Sequence, residues 1–439
     1  MFIRNFDQLA ITPQRKIVLQ LIEEALSSIQ SENVINREVK VENNKLTIMD
    51  KTFDLSSFNR VFLIGFGKGS AKNSKLIEEE LGDRLTEGYV IDLPANATHN
   101  ALLAGTNPET FSKIQSTQGT HPLPSSENVE FTDNLIKRFK ELILTEKDLI
   151  LIVVCGGGSA MLVHPYRISL DEKIKVGKAL LESGADIIEM NTIRQHLSTV
   201  KGGGLAEILY PAHIASLIFS DVPGNNLSYI ASGPTVKDNT TIDDAINLLK
   251  KYNLLDQLGL KREDFSENPK EDKYFENVSN ILILSNVTAL DAMKKKAEEL
   301  GYKTEILSDK FEADAKVAGK ELIAKTNPQP ILLIGGETTV KVKGHGAGGR
   351  NQALVLSAIL DIDDKTVISS FDSDGWDNSH FAGAIGDINT VSKAKGMNLN
   401  PQEFLDNDNS LEFFEKIGDG IETGRLPSNV SDLMIVLKY

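Results

Sequence analysis

Cysteine and tryptophan are nearly absent, each occurring once, as Cys155 and Trp376. A single thiol cannot close a disulfide within the chain, so the fold does not depend on an oxidising compartment. Positive charge is also short. Lys and Arg number 47 against 62 Asp and Glu, a net charge of −15, which excludes a general nucleic-acid binder, since that function needs a basic stripe. Any phosphorylated ligand must therefore be captured by a local site. No apolar run approaches the ~18 residues that span a bilayer, and the opening MFIRNFDQLAITPQRK has no continuous apolar segment of the signal-peptide kind. The expectation is a cytoplasmic protein with neither membrane nor nucleic acid among its partners. No short repeat and no low-complexity tract is seen.

What is present is ordinary globular composition, 41% hydrophobic and 25% charged, and 439 residues at ~100–200 per domain make two or three packed units. Short β-rich apolar runs alternate with Gly-containing turns and helical patterns, which is how parallel βαβ units look in sequence. The clearest runs lie at 60–69, 148–160, 213–225, 280–290, 330–342 and 365–376, and their continuous rather than alternating character implies strands buried on both faces. An amphipathic helix is expected over 13–31, then a two-strand arm turning at Asn43-Asn44. The stretch 256–279 is rich in charge and poor in aliphatics, so the expected division is residues 1–260 and 275–439, with 261–274 a linker or surface excursion.

In such sheets the chemistry lies in the loops after the strands. Gly65-Phe66-Gly67-Lys68-Gly69-Ser70 combines glycines, a helix N-terminus and the point charge of Lys68, with a tight structural turn as the alternative. It is not a GxxxxGK[ST] loop and lacks the third glycine of a dinucleotide fingerprint. Gly156-Gly157-Gly158-Ser159 reads better as an anion cradle than as a turn, because three adjacent glycines are entropically unfavourable. Ser159 is no nucleophile elbow, since Met161 stands where that motif needs glycine. The segment 191–204 spaces Arg194 and Lys201 across a Ser/Thr-rich stretch that ends in glycines, suiting carboxylate or phosphate oxygens, or else a solvated helix face. His196, within it, reads on its own as a structural histidine. The fourth loop, 344–352, is the most specific: a glycine run with Gly348 and Gly349 opens a helix at Arg350 and Asn351, and an arginine there opposes the helix dipole unless something anionic is near.

Asp221 follows one strand, and Asp372, Asp374 and Asp377 follow another, positions that suit Mg²⁺ or a general base, with a helix cap or Asx-turn as the alternative. Together the loops point to phosphoryl chemistry on a small anionic molecule.

At these loops the chain resembles the class II glycerate 2-kinases, the MOFRL family, whose members are sometimes labelled hydroxypyruvate reductases. The likeness rests on GFGKGSA (65–71), THPLPSSEN (120–128), CGGGSAMLVHP (155–165), ESGADIIEMNTIRQHLSTVKGG (182–203), SDVPGN with ASGPTVKD (220–238), GGETTVKVKGHGAGGRNQA (335–353), SDGWDN with AGA (373–384) and TGRLPSNVSDL (423–433). The resemblance implies a larger Rossmann-like, doubly wound N-terminal domain and a smaller α/β C-terminal domain, with the active site in the cleft between them. It implies ATP- and Mg²⁺-dependent phosphorylation of the 2-hydroxyl of D-glycerate or a related small hydroxy acid. Lys68 would neutralise phosphate charge, Arg350 would stabilise the transferring group, and Asp221 would serve as base or metal carboxylate, with Asp374 a second metal carboxylate. Arg194, His196 and Lys201 would meet the glycerate carboxylate or the phosphates, together with Gly67, Gly157, Gly158, Ser159, Gly348, Gly349 and Asn351. A homodimer is a further expectation.

The chain departs from the family pattern at Asn225 and Asn226, where two aspartates are usual, and at Gly204, where arginine is usual. It also departs at Trp376 and His380, and at Arg425 and Pro427 in a loop usually rich in glycine. These changes keep open a substrate-shifted or non-catalytic homologue. A hydroxypyruvate reductase is disfavoured, Asp92 being the nearest approach to a ribose-binding acid without the full fingerprint.

Overall fold

The structure, a computed structural model, describes residues 1–94 and 109–439. They form two compact units: Val34–Ser220 with Asn225–Ile283, called the Rossmann-like unit, and Met1–Asn33 with Asp221–Gly224 and Leu284–Tyr439, called the C-terminal unit.

The Rossmann-like unit begins with a small antiparallel sheet, β1 (Val39–Glu42), β2 (Lys45–Ile48) and β3 (Lys51–Asp54), one strand more than the expected arm. Its first turn is at Asn43-Asn44, where both residues take positive φ (50° and 63°), the conformation that a two-residue hairpin of this kind favours. The main sheet has β4 (Arg60–Phe66), β5 (Glu87–Asp92), β6 (Ile114–Gln118), β7 (Asp148–Val154), β8 (His213–Phe219) and β9 (Val278–Leu284) in the order β6-β5-β4-β7-β8-β9. The pairs β4–β5, β5–β6, β4–β7 and β7–β8 are parallel, and every residue of β7 is buried, as its unbroken apolar run requires. This is the strand order of the dinucleotide-binding fold, and it reverses between β4 and β7.

The C-terminal unit has β10 (Thr304–Phe311), β11 (Ile331–Gly336), β12 (Thr366–Asp372), β13 (Gly383–Gly386), β14 (Gly420–Ile421) and β15 (Asp432–Lys438), in the order β10-β11-β15-β12-β13-β14. The expectation of parallel units throughout fails here. Only β10–β11 pairs in parallel, because the last strand inserts between β11 and β12 and runs antiparallel to both. That insertion sets Asp432, the first residue of β15, opposite the last residues of β11 and β12, with the registers Gly336↔Asp432 and Asp372↔Asp432.

The expected division of the chain also needs correcting. The first 33 residues belong to the C-terminal unit, where Arg15, 0% exposed, donates to Asp387 (2.7 and 2.9 Å) and to Asp419 (2.9 and 3.0 Å). Residues 261–274 are no linker: Phe265 is buried in the Rossmann-like unit's core, Asn268 donates to Asp238, and Ser266 offers its carbonyl to His196. No helix among the described residues is long and apolar enough to cross a membrane.

Candidate active site

Ligands of open α/β sheets collect where the strand order reverses, and the loops after β4 and β7 leave the sheet at that point. They are locked together. Lys68 N donates to Gly156 O (2.8 Å), and Gly67, at φ 108°, lies so close to Cys155 that any Cβ would stand 2.4 Å from that residue's carbonyl oxygen. Glycine at 67 is therefore required by loop packing, with or without a ligand. The amides that open helix Ser70–Leu81 are also taken: the Asp92 carboxylate, at the end of β5, accepts from Gly69 N (3.1 Å) and Ala71 N (3.0 Å). Burial pushes the Asp92 carboxyl up to about 6 against the pull of these amides. The loop is thus no open amide cradle. The same contact removes the dinucleotide reading, because the acid that would meet a ribose caps the helix instead. Lys68 remains, half-buried and forming no ion pair among the described residues.

In the second loop Gly157, at φ 77°, packs against the His121 ring, and Gly158 N donates to Cys155 O (3.1 Å), closing a tight turn. Ser159 shares a hydroxyl contact with Ser232 (3.0 Å), and its carbonyl receives the Lys201 ammonium (2.9 Å). Lys201 is 1% exposed, yet among the described residues its ammonium meets carbonyl oxygens alone, those of Ser159 and Ala231 (3.5 Å). Arg194 finds only the Met190 thioether, at 3.9 Å. A third cation, Lys173, stands in the first turn of helix Leu170–Ser183, where the helix dipole disfavours it. Burial pulls all three pKa values down, that of Lys173 to about 8, and Lys173 and Arg194 further depress Lys201 by repulsion. Among the described residues none of the three pairs with a carboxylate.

His196, expected at the ligand, is fully buried, its Nδ1 on Ser266 O (2.7 Å) and its Nε2 on Thr240 Oγ1 (3.0 Å). It fastens residues 238–268 to helix Ile187–His196 and has no ring nitrogen left for a substrate.

In the C-terminal unit Arg350 donates to Asp432 (2.7 Å), Glu337 (2.6 Å) and Asp372 (3.3 Å). Burial works against its charge, but the three carboxylates outweigh it and hold the guanidinium pKa above its usual value. The anion suspected beside Arg350 is thus supplied by the protein. The carboxylates themselves are in excess. Burial, then the charges of Asp374 and Asp432, raise Asp372 well above the usual range, and burial lifts Asp432 to about 6 despite Arg350. Asp377 caps helix Arg350–Ala358 by accepting from Asn351 N (3.0 Å) and Gln352 N (2.8 Å). Asn351, 0% exposed, spends its side chain on Asp432, Asp377 and Ser370, so it positions the cluster instead of touching a ligand. Gly348 and Gly349 lie directly against Ser410 and Asp377, which accounts for them by packing.

The backbone of Asp221 and the loop of Asp374 lie beside this cluster. Ser431 Oγ donates to Asp221 O (2.7 Å), and Ser373 Oγ donates to Ser431 O (2.8 Å), tying the Asp221 loop to the neighbours of Asp374 and Asp432. Asp374 Oδ1 accepts from Trp376 N (2.9 Å). A cavity of about 590 Å³ adjoins the cluster, lined by Gly348, Gly349, Arg350, Asp372, Trp376 and Phe404 among others.

Two family models cover the chain, one described as a domain of unknown function, DUF4147, over residues 17–262 and one as the MOFRL family over residues 330–432. A D-glycerate 2-kinase of Thermotoga maritima is 35% identical over 88% of this chain and 93% of its own length, and a glycerate 2-kinase of Pyrococcus horikoshii is 33% identical over 96% and 97%. The chain belongs to the glycerate kinase family. A crystal structure of a T. maritima glycerate kinase matches with a TM-score of 0.84 at 30% identity, covering 97% of this chain and 99% of that one.

Against the family's usual loops, several substitutions acquire a physical reason. At Gly204 a Cβ would stand 2.2 Å from Thr199 O, so the backbone has closed over the place of the usual arginine. Asn225 takes φ 52°, a conformation asparagine tolerates, and Asn226 Oδ1 accepts from Ser228 N (3.0 Å), so both serve a turn. Trp376 and Arg425 compensate each other: the guanidinium lies 3.9 Å from the indole centroid.

Among the described residues no group of three or more His, Cys, Asp or Glu side chains is arranged to hold a metal. The carboxylates that gather on Arg350 fit Mg²⁺ in its sparser mode, in which one or two carboxylates act with substrate phosphates and water, because three of them share a single cation. Lys173, Glu337 and Asp432 escaped sequence reasoning. Asp432 had a usable signal, the apolar run 433–437 behind it, whereas Lys173 looks like any lysine on a charged helix.

Proposed function

We propose that this chain transfers the γ-phosphoryl group of ATP to the 2-hydroxyl of D-glycerate, or a closely related hydroxy acid, giving 2-phosphoglycerate and ADP. The observation that carries the reading is the set of cations without carboxylate partners among the described residues: Lys68 in the loop after β4, Lys201 held on Ser159 O in the loop after β7, and Lys173 and Arg194 near enough to repel Lys201. A loose phosphoryl transition state asks for such positioned positive charge and for little covalent chemistry.

Lys68 meets phosphate oxygens as a mobile point charge. Arg350, clamped by Asp432, Glu337 and Asp372, keeps one orientation at the cavity wall and offers its charge to the transferring group without reorganising. Asp221 accepts the proton of the attacking hydroxyl. Asp374, joined by Asp221 where that carboxylate does not serve as the base, would hold Mg²⁺, which would supply neutralisation of phosphate charge. Incubation with ATP, Mg²⁺ and D-glycerate, followed by phosphorus NMR of the product, tests the reading. A 2-phosphate ester that depends on D-glycerate supports it, and a 3-phosphate ester or hydrolysis of ATP alone refutes it.

A further inference from the structure

The Rossmann-like unit holds a buried polar cluster with too many donors. Among the described residues Lys201 is buried with two carbonyl partners and no counter-charge, and Arg194 meets a thioether alone. Beside them Asn191 is 2% exposed; its Oδ1 accepts from Ser232 Oγ (2.9 Å), while its Nδ2 has no hydrogen-bond partner. Ser232 in turn touches Ser159, whose carbonyl holds Lys201, so Asn191 and Lys201 belong to one connected cluster. Lys173 and Arg194 lie near enough to repel Lys201. A buried amide N–H left unpaired is unfavourable, and a buried cation without an anion is more so, unless a ligand satisfies both. Every unsatisfied group here is a donor or a cation, so the complement is an oxyanion.

We propose that Lys173, Arg194, Lys201 and the Asn191 amide form one oxyanion-binding site, and that Lys173 and Asn191 are binding residues of this enzyme. The site takes carboxylate or phosphoryl oxygens, which the hydroxy acid and the nucleotide both carry. The inference deepens the kinase reading by adding Lys173, outside the loops that suggested it, and Asn191, at the start of the 191–204 segment, and it rests on that reading only for the ligand's origin. Asn191→Asp is the sharpest variant, because it nearly preserves shape and hydrogen bonding to Ser232 while placing a resident anion among the cations.

The experiment measures binding of D-glycerate, ADP and inorganic phosphate separately to the full chain, by calorimetry, with thermal unfolding recorded for each variant. Wild type is expected to bind at least one probe, and Asn191→Asp and Lys173→Gln to lose about tenfold to hundredfold in affinity for that same probe. Asn191→Asp without ligand is also expected to unfold at a higher temperature than wild type, because it supplies the missing counter-charge. Loss confined to D-glycerate assigns the site to the carboxylate, loss confined to ADP or phosphate assigns it to phosphoryl oxygens, and either supports the proposal. Wild-type affinity retained in both variants overturns it and leaves the kinase reading standing. Probe binding that depends on Asn191 and Lys173, in a protein with no glycerate-dependent turnover, sustains the site and refutes the kinase.

Discussion

At the scale of single residues the molecule separates its charges. Among the described residues, cations at 173, 194 and 201 go without carboxylates in one unit, while Asp372 and Asp432 crowd a single arginine in the other. The pKa of Lys173, drawn down to about 8 from the usual 10.5, gives this separation a measurable pH signature. An oxyanion binds the charged form, so the Lys173 contribution to affinity falls as pH rises through 8, on top of any loss from Lys201, whose pKa is also drawn down. Stability without ligand moves the other way. Below pH 8 the folded protein carries the penalised charge, and between 8 and 10.5 the unfolded chain holds more protons, so unfolding free energy rises with pH. We expect the KM for the anionic substrate to climb above pH 8 in wild type and to follow a flatter profile in Lys173→Gln. Identical profiles would remove Lys173 from the site.

At the scale of elements, glycine loops and helix N-termini proved an incomplete guide to ligands. The helix at Ser70 and the helix at Arg350 are each capped by an internal carboxylate, Asp92 and Asp377. A strand-end aspartate twenty or more residues away can fill a helix N-terminus as well as a phosphate does, and spacing alone does not distinguish them. The loops at 376 and 425 teach a related lesson: two departures from the family pattern, far apart in sequence, form one cation–π contact. A double-mutant cycle on Trp376→Ala and Arg425→Ala should give a stability coupling of ~0.5–2 kcal/mol. Additive losses would mean that the stacked pair contributes no energy of its own. Strands were the most legible elements, because six continuous apolar runs all became strands. The pairing of the C-terminal sheet was not legible, since the antiparallel insertion of β15 is a long-range choice that a run such as LMIVL does not encode.

At the scale of the whole molecule, the N-terminal segment reads as part of the unit built mostly from the other end of the chain. Sequence gave no warning, because helix Pro13–Ser28 has ordinary amphipathic spacing and the partners of Arg15 lie 372 and 404 residues away. Arg15→Ala strands Asp387 in the interior and leaves Asp419 with Lys393 (2.7 Å) as its remaining cation, and chemical denaturation should show a loss of about 3–5 kcal/mol. A loss below about 1 kcal/mol would contradict the buried pairing. The family resemblance in the loops was legible because order and spacing survive over most of the chain. The division of labour within them was not, since only packing shows that His196 and Asn351 are internal fixtures while Lys68, Arg194 and Lys201 are left with spare charge.

The most direct test of the central claim is glycerate-dependent ADP release from ATP and Mg²⁺, measured side by side for wild type and Lys68→Ala. The structure predicts turnover in wild type and a loss of about 10²-fold or more in kcat for the variant, with unchanged thermal unfolding, because Lys68 is half-buried and makes no ion pair among the described residues. Equal turnover in both proteins, or no glycerate-dependent ADP from wild type, would contradict it.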